Sequence, residues 1–329
     1  MRFGLVATLI AGTGCPAESE DAVGGTDGDA SSSGSEPTSG GDPSGDPSGD
    51  PDPSDDGTTT STDPDPTAEG SSSSGGTADP SGGEVCGEVP TRMMFFGDSL
   101  FACFGLDGGK DAPSCSARLS HEYLAETYAP GVTYENLAVS GAVTRDVVMD
   151  QMPGAPVGMP GHTLVVIWVG GNDISGLLLS SDAEAEATYR DELAPEFAML
   201  WDEMSAWVDD PANFPDGATL IINTQFNPFD DCSASPFAFM SPLKTQLLAE
   251  YNEELRARVE AQPNAFLADQ FPVFLGHGHH YATAECPHYD AENPYWMIGG
   301  ADLVHPNGLG HVSMASTLRG TLDEIYACE

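Results

Sequence analysis

With 329 residues the chain is long enough for two average domains, yet it carries 52 acidic against 10 basic side chains, a formal net charge of −42. A surface of that sign repels phosphates, which excludes nucleic acid as a partner and argues against adsorption to anionic lipid. Lys110 and Lys244 are the only lysines.

In chain order, residues 1–15 read MRFGLVATLIAGTGC: Arg2, a short apolar run, then small residues ending at Cys15. This is the layout of a secretory signal, too short to span a membrane. It resembles a bacterial lipoprotein signal with Cys15 as the lipidation site, although Gly12 stands where such signals usually carry leucine. The expected location is the cell envelope, held there by an N-terminal lipid, with plain secretion as the alternative. Residues 16–84 are almost wholly Ser, Gly, Asp, Pro and Thr, with the near-repeat GDPSGDPSGDPDPSDD. Such a segment cannot bury enough apolar surface to offset the entropy of ordering, so it reads as a disordered acidic linker.

From residue 85 to 329 the composition turns globular. Apolar strand-like runs at Met93–Phe96, Val132–Leu137, Thr163–Val169, Ala218–Thr224 and Ala265–Ala268 alternate with amphipathic stretches. Helices are expected at Ser116–Tyr128, Thr144–Gln151, Ala183–Val208, Ser241–Ala261 and Gly308–Ala327. The run TLVVIWV is apolar on both faces, as a central strand covered by helices must be. The alternation predicts one α/β domain around a mostly parallel five-stranded sheet. In such sheets ligands sit beyond the carboxyl ends of the strands. Ser99, Ser140, Gly141 and the run GGND at 170–173 fall at those ends, and two long insertions, Phe226–Pro242 and Phe271–Pro306, follow the fourth and fifth strands.

Beyond Cys15 there are six cysteines, an even number suited to disulfides in an exported protein. Sequence leaves their pairing open; the favoured one joins Cys103 to Cys115, Cys232 to Cys286 and Cys86 to Cys328. There is no CxxC pair to suggest zinc or redox chemistry.

A serine hydroxyl becomes a nucleophile when a base takes its proton and a third group orients the base. Ser99 in GDSL (97–100) and the pair Asp302 and His305 in DLVHPN (302–307) supply these types, the last two meeting across one turn. With NLAVSG (136–141) and GGND (170–173), the four blocks in this order resemble the SGNH, or GDSL-type, hydrolase superfamily over nearly all of residues 92–325. The resemblance implies a three-layer α/β/α, flavodoxin-like SGNH fold and a serine esterase or lipase needing no cofactor and no metal. Carried over position by position, it implies Ser99 as nucleophile, His305 as general base and then acid, and Asp302 as its orienting carboxylate. The N–H groups of Ser99 and Gly141 and the side-chain amide of Asn172 would form the oxyanion hole. Asp98 and Asp173 are read as hydrogen-bonding supports for their loops.

Each residue also has a plainer reading: Ser99, Asn172 and Gly141 as turn residues, Asp302 as a helix N-cap. Those readings leave the convergence on one rim unexplained. His277, His279, His280 and His288, in GHGHHYATAECPH, match no zinc spacing and read as a solvated loop; His311 reads as a packed or surface residue. Phe101, Phe104, Phe226, Phe229, Phe237, Phe239 and Trp296 are candidates for lining an acyl pocket. The expected substrate is a carboxylic ester with a lipid-like acyl chain, acted on by a monomer. The alternatives are a carbohydrate O-acetyl esterase and a non-catalytic binding lipoprotein.

Overall fold

A computed structural model describes residues 87–235, 238 and 240–328. The proposed signal, Cys15, the acidic linker, Cys86, Phe237 and Phe239 lie outside the described residues.

Five strands, β1 (Arg92–Gly97), β2 (Thr133–Asn136), β3 (Thr163–Trp168), β4 (Ala218–Asn223) and β5 (Ala265–Ala268), pair in the order β2-β1-β3-β4-β5, all parallel. This is the flavodoxin-like order. Strand period sorts the side chains into two cores. Met93, Phe95, Leu164, Val166 and Trp168 face helices α1 (Ser116–Thr127) and, at the end of the chain, Gly308–Tyr326 through Leu124, Met314, Leu318 and Leu322. Met94, Phe96, Val165 and Ile167 face the opposite layer, through Phe197, Trp201, Met204, Tyr251 and Leu255. Burial of β3 on both sides makes its unbroken apolar run a necessity.

The remaining helices are α2 (Thr144–Asp146), α3 (Gly171–Ser175), α4 (Asp182–Thr188), α5 (Ala194–Asp209), α6 (Pro242–Ala261), α7 (Gln270–Phe274) and α8 (Gly308–Tyr326). Two of the expected helices are interrupted. α2 runs on as a π-helical turn over Val147–Gln151, and a second π-helical turn, Tyr189–Leu193, separates α4 from α5. Both stretches read in sequence as continuous helices, since a single π-helical turn carries no residue-type signature of its own. The second insertion is more ordered than its composition suggests: it contains α7 and an antiparallel hairpin of β6 (Met297–Gly299) and β7 (Asp302–Pro306).

The order of the strands places a switch point between β1 and β3, the crevice where doubly wound sheets bind ligands. GDSL leaves β1 and GGND leaves β3, so both open onto it.

Candidate active site

Gly97 ends β1 with φ +141°, where a Cβ would lie 1.9 Å from the Trp168 carbonyl oxygen. Only glycine lets the first strand turn this tightly against its neighbour. The peptide groups of Gly97 are held by an unexpected partner, Gln151, whose Oε1 accepts the Gly97 N–H at 2.9 Å and whose Nε2 donates to the Gly97 carbonyl at 2.8 Å. Beyond it Asp98 accepts the Leu100 N–H at 2.9 Å, and Ser99 emerges nearly buried, 7% exposed.

His305 arrives on β7. Its Nε2 stands 2.8 Å from Ser99 Oγ, and its Nδ1 lies 2.8 and 3.0 Å from the two carboxylate oxygens of Asp302. With Nδ1 protonated toward Asp302, Nε2 is free to accept the serine proton. Asp302 also accepts the backbone N–H groups of Val304 and His305 at 3.1 and 2.9 Å. Burial works against its charge, but the bonds from the His305 ring and these two N–H groups outweigh it and hold the carboxyl below the usual carboxylate range. The N-cap of α8 is Asn307, which accepts from Leu309 and Gly310, so the cap reading of Asp302 is corrected.

Gly141 has φ +84° in a turn closed by Ala142 N–H to the Val139 carbonyl, a conformation that suits glycine at this position. Asn172 donates one amide hydrogen to the Ala142 carbonyl at 2.9 Å, which fixes the side chain and leaves its second hydrogen to aim elsewhere. Its neighbour Asp173 accepts the Thr144 N–H at 3.0 Å and the Thr144 hydroxyl at 3.1 Å. Block GGND therefore grips the NLAVSG loop at two successive residues. Among the described residues no backbone carbonyl takes the N–H of Ser99 or of Gly141. Burial raises the Asp98 carboxyl to about 7 and the Asp173 carboxyl to about 6.

A pocket opens beside Ser99 and His305. Ile174, Leu178, Phe226, Phe229, Met240 and Leu248 give it an apolar wall. Of the aromatic candidates, Phe226 and Phe229 line it. Phe101 is fully buried against Phe95 and Trp168 and belongs to the core, and Trp296 stacks on His277 and meets Phe274 edge-on. Phe104 stands apart, its ring 4.4 Å from that of His305. Ile174, Leu178, Met240 and Leu248 were missed, since apolar residues on a helix or a loop look alike in sequence whether they face a core or a cavity.

The structure joins Cys103 to Cys115 and Cys232 to Cys286. Cys328 is also disulfide-bonded. The second bridge ties the two insertions together, and Asp230 reinforces it. This fully buried carboxylate accepts the N–H groups of Gly276 and Gly278 at 2.9 and 2.8 Å on one oxygen and that of His280 at 2.9 Å on the other. The histidine run is thus corrected from a solvated loop to one anchored at a buried His280, with His277, His279 and His288 half-buried. His280 is 1% exposed, His279 meets the Leu303 carbonyl and the Tyr295 hydroxyl, His277 meets the Pro294 carbonyl, and His288 lies 3.6 Å from Asp231. Cys232, His280 and Cys286 cluster closely enough for a metal, but the two sulfurs are spent on each other. His311 is fully buried beside Ser116, and burial lowers it to about 4, so it stays neutral.

A phospholipase A1 from Streptomyces albidoflavus NA297 matches this chain with a TM-score of 0.51 at 20% identity, covering 71% of this chain and 100% of that one. A lipase from a goat rumen metagenome gives 0.50 at 19%, covering 70% and 96%. An acetylxylan esterase from Geobacillus stearothermophilus gives 0.41 at 18%, covering 71% and 95%. At these identities the first two likenesses speak for the fold alone and leave the substrate open. No curated protein sequence matches at a significant level. The family described as GDSL-like lipase/acylhydrolase matches residues 93–318, from β1 into α8. That span takes in all four blocks and the whole parallel sheet, so the chain belongs to the GDSL-like lipase/acylhydrolase family and is a carboxylic ester hydrolase.

Proposed function

We propose that the chain is a serine esterase for esters with an apolar acyl chain, working through Ser99, His305 and Asp302. The observation that carries this reading is the unbroken hydrogen-bonded row from Ser99 Oγ to the Asp302 carboxylate at the mouth of an apolar pocket. Ser99 Oγ attacks the acyl carbon as its proton passes to His305 Nε2, and the imidazolium is stabilised by Asp302. The oxyanion is received by the N–H groups of Ser99 and Gly141 and the free hydrogen of Asn172, each donor contributing about 3–4 kcal/mol to lowering the barrier. Collapse expels the alcohol, which takes the proton from His305. Water then enters, attacks the acyl carbon while giving a proton to the same nitrogen, and His305 returns that proton to Ser99 Oγ as the acid leaves.

The reading extends to location. Residues 1–15 are proposed as a lipoprotein signal with Cys15 carrying the lipid, and the acidic segment after it as a tether for a monomeric catalytic domain.

The test is Ser99→Ala in the full chain. Turnover of soluble esters and labelling by a serine-directed phosphonate should both vanish while the far-ultraviolet circular dichroism stays unchanged. Labelling that persists would mean another serine is the nucleophile. A panel of esters of graded acyl length alongside an acetylated glycan should show the alkanoyl esters preferred; the opposite order would favour a carbohydrate O-acetyl esterase.

A further inference from the structure

The acyl pocket accounts for one side of the ester, and the general acid defines where the other side must lie. In the reading above, the departing alcohol takes its proton from His305 Nε2, so it sits against the His305 ring. The His305 ring packs against Phe104, centroid to centroid 4.4 Å, which is 42% exposed although it is a large apolar side chain. Next to it Gly105 has no side chain, and the space its Cβ would take is filled by Ile298, whose Cδ1 would lie 2.2 Å away. Ile298 is itself 38% exposed. Phe104 and Ile298 are therefore two exposed apolar side chains bordering one glycine beside the general acid, and neither belongs to the acyl pocket wall.

The ledge is rigid. The Phe104 N–H donates to the Ser99 carbonyl at 3.0 Å, and the preceding residue, Cys103, is bridged to Cys115. Ile298 sits on β6, paired with the strand that carries Asp302 and His305. Each half of the ledge is thus fixed to an element that also carries a reacting group. Separate from the acyl pocket, and with Phe104 against the general acid, such a surface suits the hydrocarbon of the alcohol.

We propose that Phe104 and Ile298 form an alcohol-side subsite, and that the substrates are esters apolar on both sides of the ester bond. The proposal rests on the assignment of His305 as general acid and narrows the substrate class beyond it. A polyhydroxylated sugar alcohol would find no hydrogen-bonding partner on this ledge, whereas an alkyl alcohol loses water from both surfaces.

The test separates the two sides of the substrate. With the acyl group held as butyrate, kcat/KM is measured for the ethyl, butyl and hexyl esters; with the alcohol held as ethanol, it is measured for the acetate, butyrate and hexanoate. For the full chain, kcat/KM should rise along the alcohol series. Phe104→Ser and Ile298→Ser should each flatten that rise several-fold while leaving the ratio along the acyl series unchanged, and Phe104→Leu should restore much of it. An alcohol series that stays steep in both serine variants overturns the proposal. So does a uniform loss on all esters in Phe104→Ser with Ile298→Ser silent, which would make Phe104 only a support for the His305 ring. Failure of the serine mechanism would show separately, as phosphonate labelling that survives Ser99→Ala.

Discussion

At the scale of single residues, the acids of this site divide by environment. Asp302 is stabilised in its charged form by three N–H donors, while for Asp98, 2% exposed, burial outweighs the Leu100 N–H and the nearby His305 and raises it to about 7. The sign of the consequence follows from proton counts. Below the ordinary value of 3.8 both folded and unfolded chains carry the Asp98 proton; between 3.8 and about 7 only the folded chain does. Folding stability attributable to this group therefore falls as pH rises through that window, by up to about 1.4 kcal/mol per pH unit. Asp98→Asn keeps an oxygen for the Leu100 N–H and removes the titration. Urea unfolding at pH 4.5 and pH 7.5 should show the variant gaining on the parent as pH rises; parallel pH dependence of the two would contradict a raised Asp98. The sequence supplied Asp98 as a supporting residue, but its neutral state near pH 7 depends on burial that no local pattern encodes.

At the scale of elements, the segment from Val139 to Gln151 acts as one device. Its turn presents the Gly141 N–H, its Ala142 carbonyl orients Asn172, and its far end returns Gln151 to the peptide groups of Gly97. The π-helical turn over Val147–Gln151 is what aims Gln151. One added residue rotates a helical side chain by about 100°. Gln151→Met fills similar volume and loses both bonds. The Gly97 carbonyl keeps the Val139 N–H, while the Gly97 N–H loses its acceptor. A fall in kcat on the order of tenfold with little change in KM is expected, since the loss acts on the placement of Ser99 more than on the pocket. A change confined to KM would show that Gln151 shapes the binding surface instead. NLAVSG was legible as a block, but Gln151 was not. It lies ten residues beyond the block, and its partner is reached only through the packing of the π-helical turn on β1.

At the scale of the whole molecule, stability is distributed unevenly. The sheet is covered on both faces, whereas the insertions that wall the pocket beside Ser99 depend on the Cys232–Cys286 bridge and the Asp230 carboxylate. The Cys103–Cys115 bridge likewise closes the loop that follows Ser99, restricting the unfolded chain by about 3 kcal/mol. Reduction should accordingly abolish ester hydrolysis before it melts the fold. Titrating reductant while following hydrolysis and far-ultraviolet circular dichroism together should give two separate midpoints, activity being lost first. Coincident midpoints would mean that the bridges and the sheet form one cooperative unit.

The sequence by itself determined the five strands and their helical partners, because period and apolar content are local consequences of which face each residue must bury. It also carried the four blocks, since a nucleophile, a base and oxyanion donors need fixed residue types at the ends of particular strands. The tertiary structure alone decided how those ends converge, because Ser99 and His305 are separated by most of the domain and meet only once the sheet adopts the order β2-β1-β3-β4-β5 and the β6–β7 hairpin folds over it. It alone decided, too, that His280 is buried within its loop, and that Ile174, Leu178, Met240 and Leu248, in or against one of the two cores, also wall a pocket. Burial and partnership are properties of neighbours distant in the chain, and a residue's own type sets only what it costs to leave them unmet.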